Sequence, residues 1–178
     1  MTDIQIRPEI PDDFDEVDAL VRSAFGDDVT PELVRRIRDS EHYVPDYALV
    51  AEREGRIVGH VMLSYVELDD GARRHRVPSL SPLAVLPDVQ KQGIGTALVG
   101  AALARADERN EPLVVLEDSP FYYSRVGFEP AARFRITIDL PSWAPPDAAQ
   151  VHPLSRYEPH IKGDVVYPPA FDHANQDR

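Results

Sequence analysis

The chain has 178 residues, 31 acidic against 19 basic side chains, and a formal net charge of −12. That size suits one domain with one sizeable core, and the acidic field opposes nonspecific binding to nucleic acid while favouring small cationic partners. Cysteine is absent, which excludes disulfides, a thiolate nucleophile and a zinc–thiolate site; no apolar run is long enough to span a bilayer and no signal-peptide pattern opens the chain, so a cytoplasmic location is expected.

Ile4 to Arg7 alternates like a short strand. Pro11-Asp12-Asp13 starts a helix, with acidic residues favourable at its positive end, and Phe14, Val17, Val21, Ala24 and Phe25 recur at a spacing that predicts one buried face. Pro31 to Asp39 reads as a second short helix carrying Leu33, Val34 and Ile37. Tyr47 to Arg53 and Ile57 to Val66 are strand-like around a Glu54-Gly55 turn, and Asp69-Asp70-Gly71 marks a second hairpin turn before a strand from Arg76 to Val85. Pro78 and Pro82 cannot donate to a ladder, so this last strand should be bulged or irregular. Gly93 to Arg109 is a long helix, apolar almost all round until Arg105, as befits a helix buried against a sheet. Pro112 to Glu117 reads as a strand, Pro120 to Val126 as a short helix, and Phe128 to Ile138 as a returning strand.

From Pro141 prolines crowd the chain, yet Trp143, Val151, Tyr157, Ile161 and Phe171 make it too apolar for a disordered tail. The organisation expected is a core over 1–140, an ordered extension of the same domain over 141–171, and a frayed tail over 172–178. Strands are expected near Ala149 to Pro153 and Asp164 to Tyr167, and the extension should help wall the substrate side.

The stretch Leu83 to Thr96 carries the chemistry. An apolar strand end, Leu83-Ala84-Val85, is followed by a Pro87 turn, the polar run Gln90-Lys91-Gln92, and Gly93 and Gly95 at the head of the long helix. The first turn of a helix has N–H donors without intrahelical partners and the positive end of the macrodipole, and glycines let an anion such as a diphosphate approach the main chain. A dinucleotide fingerprint needs a third glycine where Leu98 stands, and a P-loop needs a Gly-Lys-Ser/Thr that does not occur.

The spacing Gln90-x-x-Gly93-x-Gly95, with the strand end before it, resembles motif A of the GCN5-related N-acetyltransferases, the GNAT superfamily. Tyr123-Ser124-Arg125-Val126-Gly127-Phe128 is similar to the family's Tyr-x-Lys/Arg-x-Gly-Phe, and Leu113 to Leu116 fits the strand between the two motifs. Pro82 to Val85, Tyr122 to Phe128 and the tail Val165 to Phe171 resemble the YhbS-type acetyltransferases within it. Gln92 stands where Arg or Gly is more usual, which weakens charge on the loop but keeps its backbone donors. The strong motifs span about Ser79 to Pro130.

The resemblance implies an α/β (α+β) GNAT fold: a central mixed, mostly antiparallel, twisted sheet with a splayed strand pair, flanked by about four helices, plus the C-terminal extension. It implies acetyl-CoA as cosubstrate, no metal, and direct acetyl transfer through a ternary complex to a primary amine of a small molecule or peptide. Leu83, Ala84 and Val85 would pair with the pantetheine arm, with an N–H of Leu83 or Ala84 polarising the thioester carbonyl. Gln90, Lys91, Gln92, Gly93, Ile94, Gly95 and Thr96 would bind the cofactor, the backbone amides from Gln92 through Thr96 holding the pyrophosphate. Tyr123 would be the general acid near the sulfur, since a phenol is protonated at pH 7 and can donate to a thiolate. Its alternative is a packing residue with the hydroxyl bound elsewhere.

An ammonium acceptor must lose a proton before attack. Glu117, at a strand end, is the candidate base, against the reading of a substrate-side or capping carboxylate; Glu52, Glu67 and His75 are the rivals. His60 within a strand reads as a satisfied histidine, Asp69-Asp70 as a solvated turn, and Arg125 as a structural or phosphate contact. The competing function is a noncatalytic acyl-CoA-binding sensor or interaction module, indifferent to loss of the Tyr123 hydroxyl. A monomer or homodimer is expected, with no membrane or nucleic-acid partner.

Overall fold

The computed structural model describes residues 3–172. The expected frayed tail, 172–178, lies outside the described residues apart from Asp172. In chain order the strands are β1 (Gln5–Pro8), β2 (Tyr43–Arg53), β3 (Arg56–Asp69), β4 (Arg74–Val85), β5 (Leu113–Glu117), β6 (Glu129–Pro130), β7 (Ile136–Thr137), β8 (Ala149–Pro153) and β9 (Gly163–Val166). The α-helices are α1 (Phe14–Phe25), α2 (Val29–Arg38), α3 (Ile94–Glu108) and α4 (Pro120–Tyr123).

The strands described form one sheet in the order β1-β2-β3-β4-β5-β8-β6, with β9 pairing both β3 and β7. Every pairing is antiparallel except β4 with β5 and β7 with β9. This is the mixed, mostly antiparallel sheet expected. The extension enters the same sheet: β8 pairs along all of β5, and β9 pairs antiparallel with the last residues of β3, Glu67 to Asp69.

The two faces of the sheet are covered by different helices, because strand residues alternate sides. On one face α3 seats Leu98, Val99 and Ala102 against Tyr47, Leu49, Val58 and Leu63. On the other, Val17, Leu20 and Val21 of α1 meet Val50, Ile57 and Ala84, while Leu33, Val34 and Ile37 of α2 meet Ala48 and Met62. Each fully buried Leu or Ile here stabilises the fold by about 1.5–3 kcal/mol. Gly59 in β3 lies directly beneath α3: a Cβ there would stand 2.8 Å from Leu98 Cδ1 and 3.0 Å from Ile94 Cγ2. The missing side chain therefore sets how closely the start of α3 approaches the sheet.

A buried ionic group fixes α2 to the sheet. The Glu9 carboxylate accepts two hydrogen bonds from Arg38, at 3.0 and 2.7 Å, and one from the Tyr43 hydroxyl at 3.0 Å. His60 Nε2 lies 3.2 Å from Glu9 Oε2, and neither of these two side chains is solvent-exposed. Burial alone would push the Glu9 carboxyl up; the bonds from His60 and Arg38 outweigh it and hold the group down at about 2. His60 was expected to be half-buried and satisfied; it is fully buried, and while Nε2 meets Glu9, Nδ1 has no hydrogen-bond partner among the described residues.

One element departs from expectation. Phe128 to Ile138 is not a continuous strand. Glu129–Pro130 pairs β8, a 3₁₀ turn over Ala131–Phe134 follows, and Ile136–Thr137 pairs β9. Pro130 has no N–H for a ladder, and Arg135 sits in the left-handed region at φ 55°, so the chain breaks between two short pairings.

The site-forming irregularity lies in β4. Val61 pairs Leu83 but Leu63 pairs Leu80, so β4 gains one residue on β3 around Ser81 and Pro82. The Ser81–Pro82 bond is cis. Parallel pairing of β4 with β5 is confined to Ser79 and Val115. Beyond it β4 stays with β3 and β5 stays with β8, so the two central strands splay.

Candidate active site

The splay opens a groove of about 590 Å³. Its floor begins at Leu83 and Val85, which face it from the end of β4. Ala84, between them, faces the other way: it is 2% exposed and packed on α1. The wall comes from the turn between β4 and α3, through Gln90, Lys91, Gly93, Ile94, Gly95 and Thr96. The opposite wall is Asp118, Ser119, Tyr122, Tyr123 and Arg125.

The turn is shaped for main-chain donors. A 3₁₀ turn at Pro87–Val89 leads to Lys91 at φ 62° and Gly93 at φ 85°, two left-handed residues that swing the chain into α3. The cap residue Gly93 makes no side-chain cap bond to the first turn of α3, and the helix's leading N–H groups have no hydrogen-bond partner among the described residues. The Gln90 side chain donates to the Val85 carbonyl at 3.1 Å, tying the turn to the strand end rather than reaching for a ligand. Gln92 does not line the groove; its amide oxygen accepts from Arg53 at 3.0 Å.

Gly95 permits a close contact across the groove. A Cβ there would fall 2.6 Å from the Tyr122 hydroxyl and 3.7 Å from the Tyr122 Cζ and Leu83 Cδ2 atoms. The phenol rests against the helix start because no side chain stands in its way. Lys91 and Arg125 place two cations on the groove of an otherwise acidic protein. The Arg125 guanidinium lies 4.3 Å from the centre of the Phe121 ring. Open helix amides, a side-chain-free cradle and flanking cations suit a phosphate-bearing nucleotide.

Tyr123 sits at the inner end of the groove, 4% exposed. Its ring makes edge contacts with Tyr122 and Phe128, centroids 4.9 and 5.6 Å away. Burial, and then the nearby Asp118 carboxylate, push its phenol well above the usual tyrosine range, so it is a proton donor at neutral pH. Tyr123 also lines a second cavity of about 460 Å³ on the far side of the splay. That cavity is also lined by Phe25 at the end of α1, Asp27 of the α1–α2 connection and Thr30 of α2, by the bulge at Leu80 to Leu83, and by Leu116, Glu117 and Asp118. The groove and the second cavity share Leu83, Asp118 and Tyr123.

Comparison with known proteins agrees with this geometry. Residues 5–131 match the family model described as an acetyltransferase (GNAT) domain. The chain belongs to the GNAT family. The uncharacterised N-acetyltransferase YhbS of Escherichia coli is 33% identical over 150 residues, 84% of this chain and 87% of that protein. The crystal structure of Escherichia coli YhbS in complex with CoA superposes with a TM-score of 0.87 at 31% identity, covering 97% of this chain and 93% of that one. A GNAT acetyltransferase from Brucella melitensis, solved with acetyl-CoA, gives a TM-score of 0.76 at 28% identity, covering 97% and 100%. The fold is therefore the GNAT fold, and these two relatives were solved with CoA and with acetyl-CoA bound.

Within this GNAT site, Glu117 faces the second cavity and not the groove. The rival carboxylates and histidine are elsewhere. Glu52 pairs Arg7 at 3.1 Å, Glu67 pairs Arg74 at 2.7 Å, and His75 lies 3.4 Å from Asp70, which itself accepts turn N–H groups. None of the three lines the groove or either neighbouring cavity. Sequence reasoning did not single out Asp118, Ser119 or Asp27. The pair Asp118-Ser119 ahead of Pro120 resembles a helix-start signal, but its place in the site depends on the splay. Asp27 lines the second cavity and, just ahead of α2, accepts the Thr30 N–H at 2.9 Å and the Thr30 hydroxyl at 3.3 Å.

Proposed function

We propose that the chain is an acetyl-CoA-dependent N-acetyltransferase that passes acetyl directly to a primary amine in a ternary complex. The observation that carries this reading is the position of Tyr123: one buried phenol borders both the nucleotide groove and the cavity opposite. The groove suits acetyl-CoA, which supplies an activated acetyl thioester. Main-chain amides of Gly93 to Thr96 hold the diphosphate, aided by Lys91 and Arg125. Leu83 and Val85 flank the pantetheine arm, where the bulge at Ser81 and Pro82 frees main-chain groups from the β3 ladder.

The acceptor enters the second cavity as an ammonium ion, drawn by Asp27, Glu117 and Asp118. Glu117 is assigned to receive its proton. Tyr123 donates to the sulfur as the acyl bond breaks. Its raised proton affinity does not disqualify it, because a thiolate formed in the same water-poor position is also harder to stabilise. The test is thiol release from acetyl-CoA over a panel of amines. Turnover with a primary amine supports the reading. Tight CoA binding with no turnover across polyamines, aminoglycosides, amino acids and peptide N-termini would instead identify a sensor.

A further inference from the structure

A third cavity, of about 540 Å³, adjoins the site and belongs to the segment following β7. It shares Glu117 and Asp118 with the acceptor cavity, so the two border one another at the end of β5. Away from that seam the lining is apolar: Leu140, Pro141, Trp143, Pro145 and Ala148, with Pro120 opposite. The wall is built rather than draped. Ala144 donates to the Pro141 carbonyl and Ala148 to the Pro145 carbonyl, both at 2.9 Å, and three prolines restrict the turns. Asp118 N–H donates to the Ala148 carbonyl at 3.0 Å, and the buried Gln150 side chain donates to the Asp118 carbonyl at 3.0 Å. These bonds lock the segment to the strand that carries Glu117.

Trp143, the chain's single tryptophan, is 76% exposed within this lining. An exposed indole beside a rigid apolar hollow is a contact surface awaiting a partner of its own kind. The carboxylates at the inner end fix the sign of that partner.

We propose that this cavity is the tail subsite of the acceptor, and that the acceptor is an arylalkylamine. Its ammonium end lies toward Glu117 and Asp118, and its aryl group packs on Trp143 and the prolines. The assignment rests on the acetyltransferase reading for the role of the amine, but the subsite itself can be tested by binding alone. An anionic head group is repelled at the seam, and a short amine leaves the hollow unfilled. A polyamine gains the carboxylates but not the indole face.

Tryptophan fluorescence reports on the subsite directly. With the full chain saturated with CoA, phenethylamine should change the emission saturably, whereas phenylpropionate and spermidine should not. In thiol-release assays, KM for phenethylamine should lie about tenfold below that for propylamine, since one aryl face is buried. Trp143→Ala should bring the two KM values to within about twofold. No response to phenethylamine, an equal response to phenylpropionate or spermidine, or a response that follows protein dilution instead of amine (a second copy covering Trp143) overturns the proposal. Thiol release without a fluorescence change would remove the subsite and leave the acetyltransferase reading standing. A fluorescence change with no release for any amine would do the reverse.

Discussion

Gly95→Ala isolates the cradle at the head of α3. An alanine Cβ would lie 2.6 Å from the Tyr122 hydroxyl, where ordinary contact begins at 3.4 Å. About 0.8 Å must therefore be found, which is deep in the repulsive wall. The helix start is held by buried Ile94 and Leu98, so the half-buried Tyr122 ring is the part that yields, and it yields into the groove it lines. Overpacking of this kind costs about 1–3 kcal/mol. Charged to ligand binding, that weakens CoA about 5- to 150-fold. Alanine favours a helix over glycine by up to about 1 kcal/mol, so the melting temperature should move little. The design includes its own control. Tyr122→Phe deletes the clashing oxygen and leaves Cζ at 3.7 Å, an ordinary contact. Calorimetric titration of CoA should therefore show Gly95→Ala strongly weakened in the native background and nearly silent in the Tyr122→Phe background. An equal penalty in both backgrounds, or none in either, would refute the steric reasoning.

Tyr123→Phe should lower kcat about a hundredfold, the scale of a lost general acid, with little change in CoA affinity; a loss under threefold would assign the ring a packing role only. Gly59→Ala should destabilise the protein by about 1–3 kcal/mol in urea unfolding, because the new methyl meets Leu98 and Ile94 beneath α3; unchanged stability would mean the helix has slack there. Glu9 sets an acid limit. Its carboxyl is held near 2 against an ordinary 4.5, so its contribution to stability is complete above about pH 4.5 and is lost as pH falls toward 2. The span corresponds to about 3 kcal/mol. Stability measured from pH 6 to 2 should fall along that limb, and Glu9→Gln should be weaker at pH 7 with a flatter acid limb; parallel curves would contradict the assignment.

Local chemistry was readable where a single residue type forces the backbone. Pro78 and Pro82 announced an irregular β4, and the structure puts a bulge at Ser81 and Pro82. Gly93 marked the turn at the head of the long helix, and the structure adds that its backbone is left-handed, at φ 85°. Two further strands, Ala149–Pro153 and the one ending at Val166, stood out by apolar content amid prolines. At Leu83-Ala84-Val85 the expectation concerned main-chain groups; the strand period adds that the Ala84 side chain packs toward α1 while Leu83 and Val85 face the groove. Phe128 to Ile138 was misread because short pairings to two different strands have no local signature. The cavities were hidden for a similar reason. Asp27, Asp118 and Trp143 lie on three separate segments; the splay of β4 from β5 and the pairing of β8 on β5 set the cavity that Asp27 lines and the one that Trp143 lines on either side of Asp118.

The central claim concerns the main-chain donors at the start of α3. The nine glycine amides of the chain can be followed by nitrogen–proton NMR during addition of CoA. The amides of Gly93 and Gly95 should shift saturably and together, while Gly26 and Gly71, in turns that do not line the groove, stay in place. Saturable binding that leaves Gly93 and Gly95 unmoved, or shifts them no more than Gly71, would contradict the account.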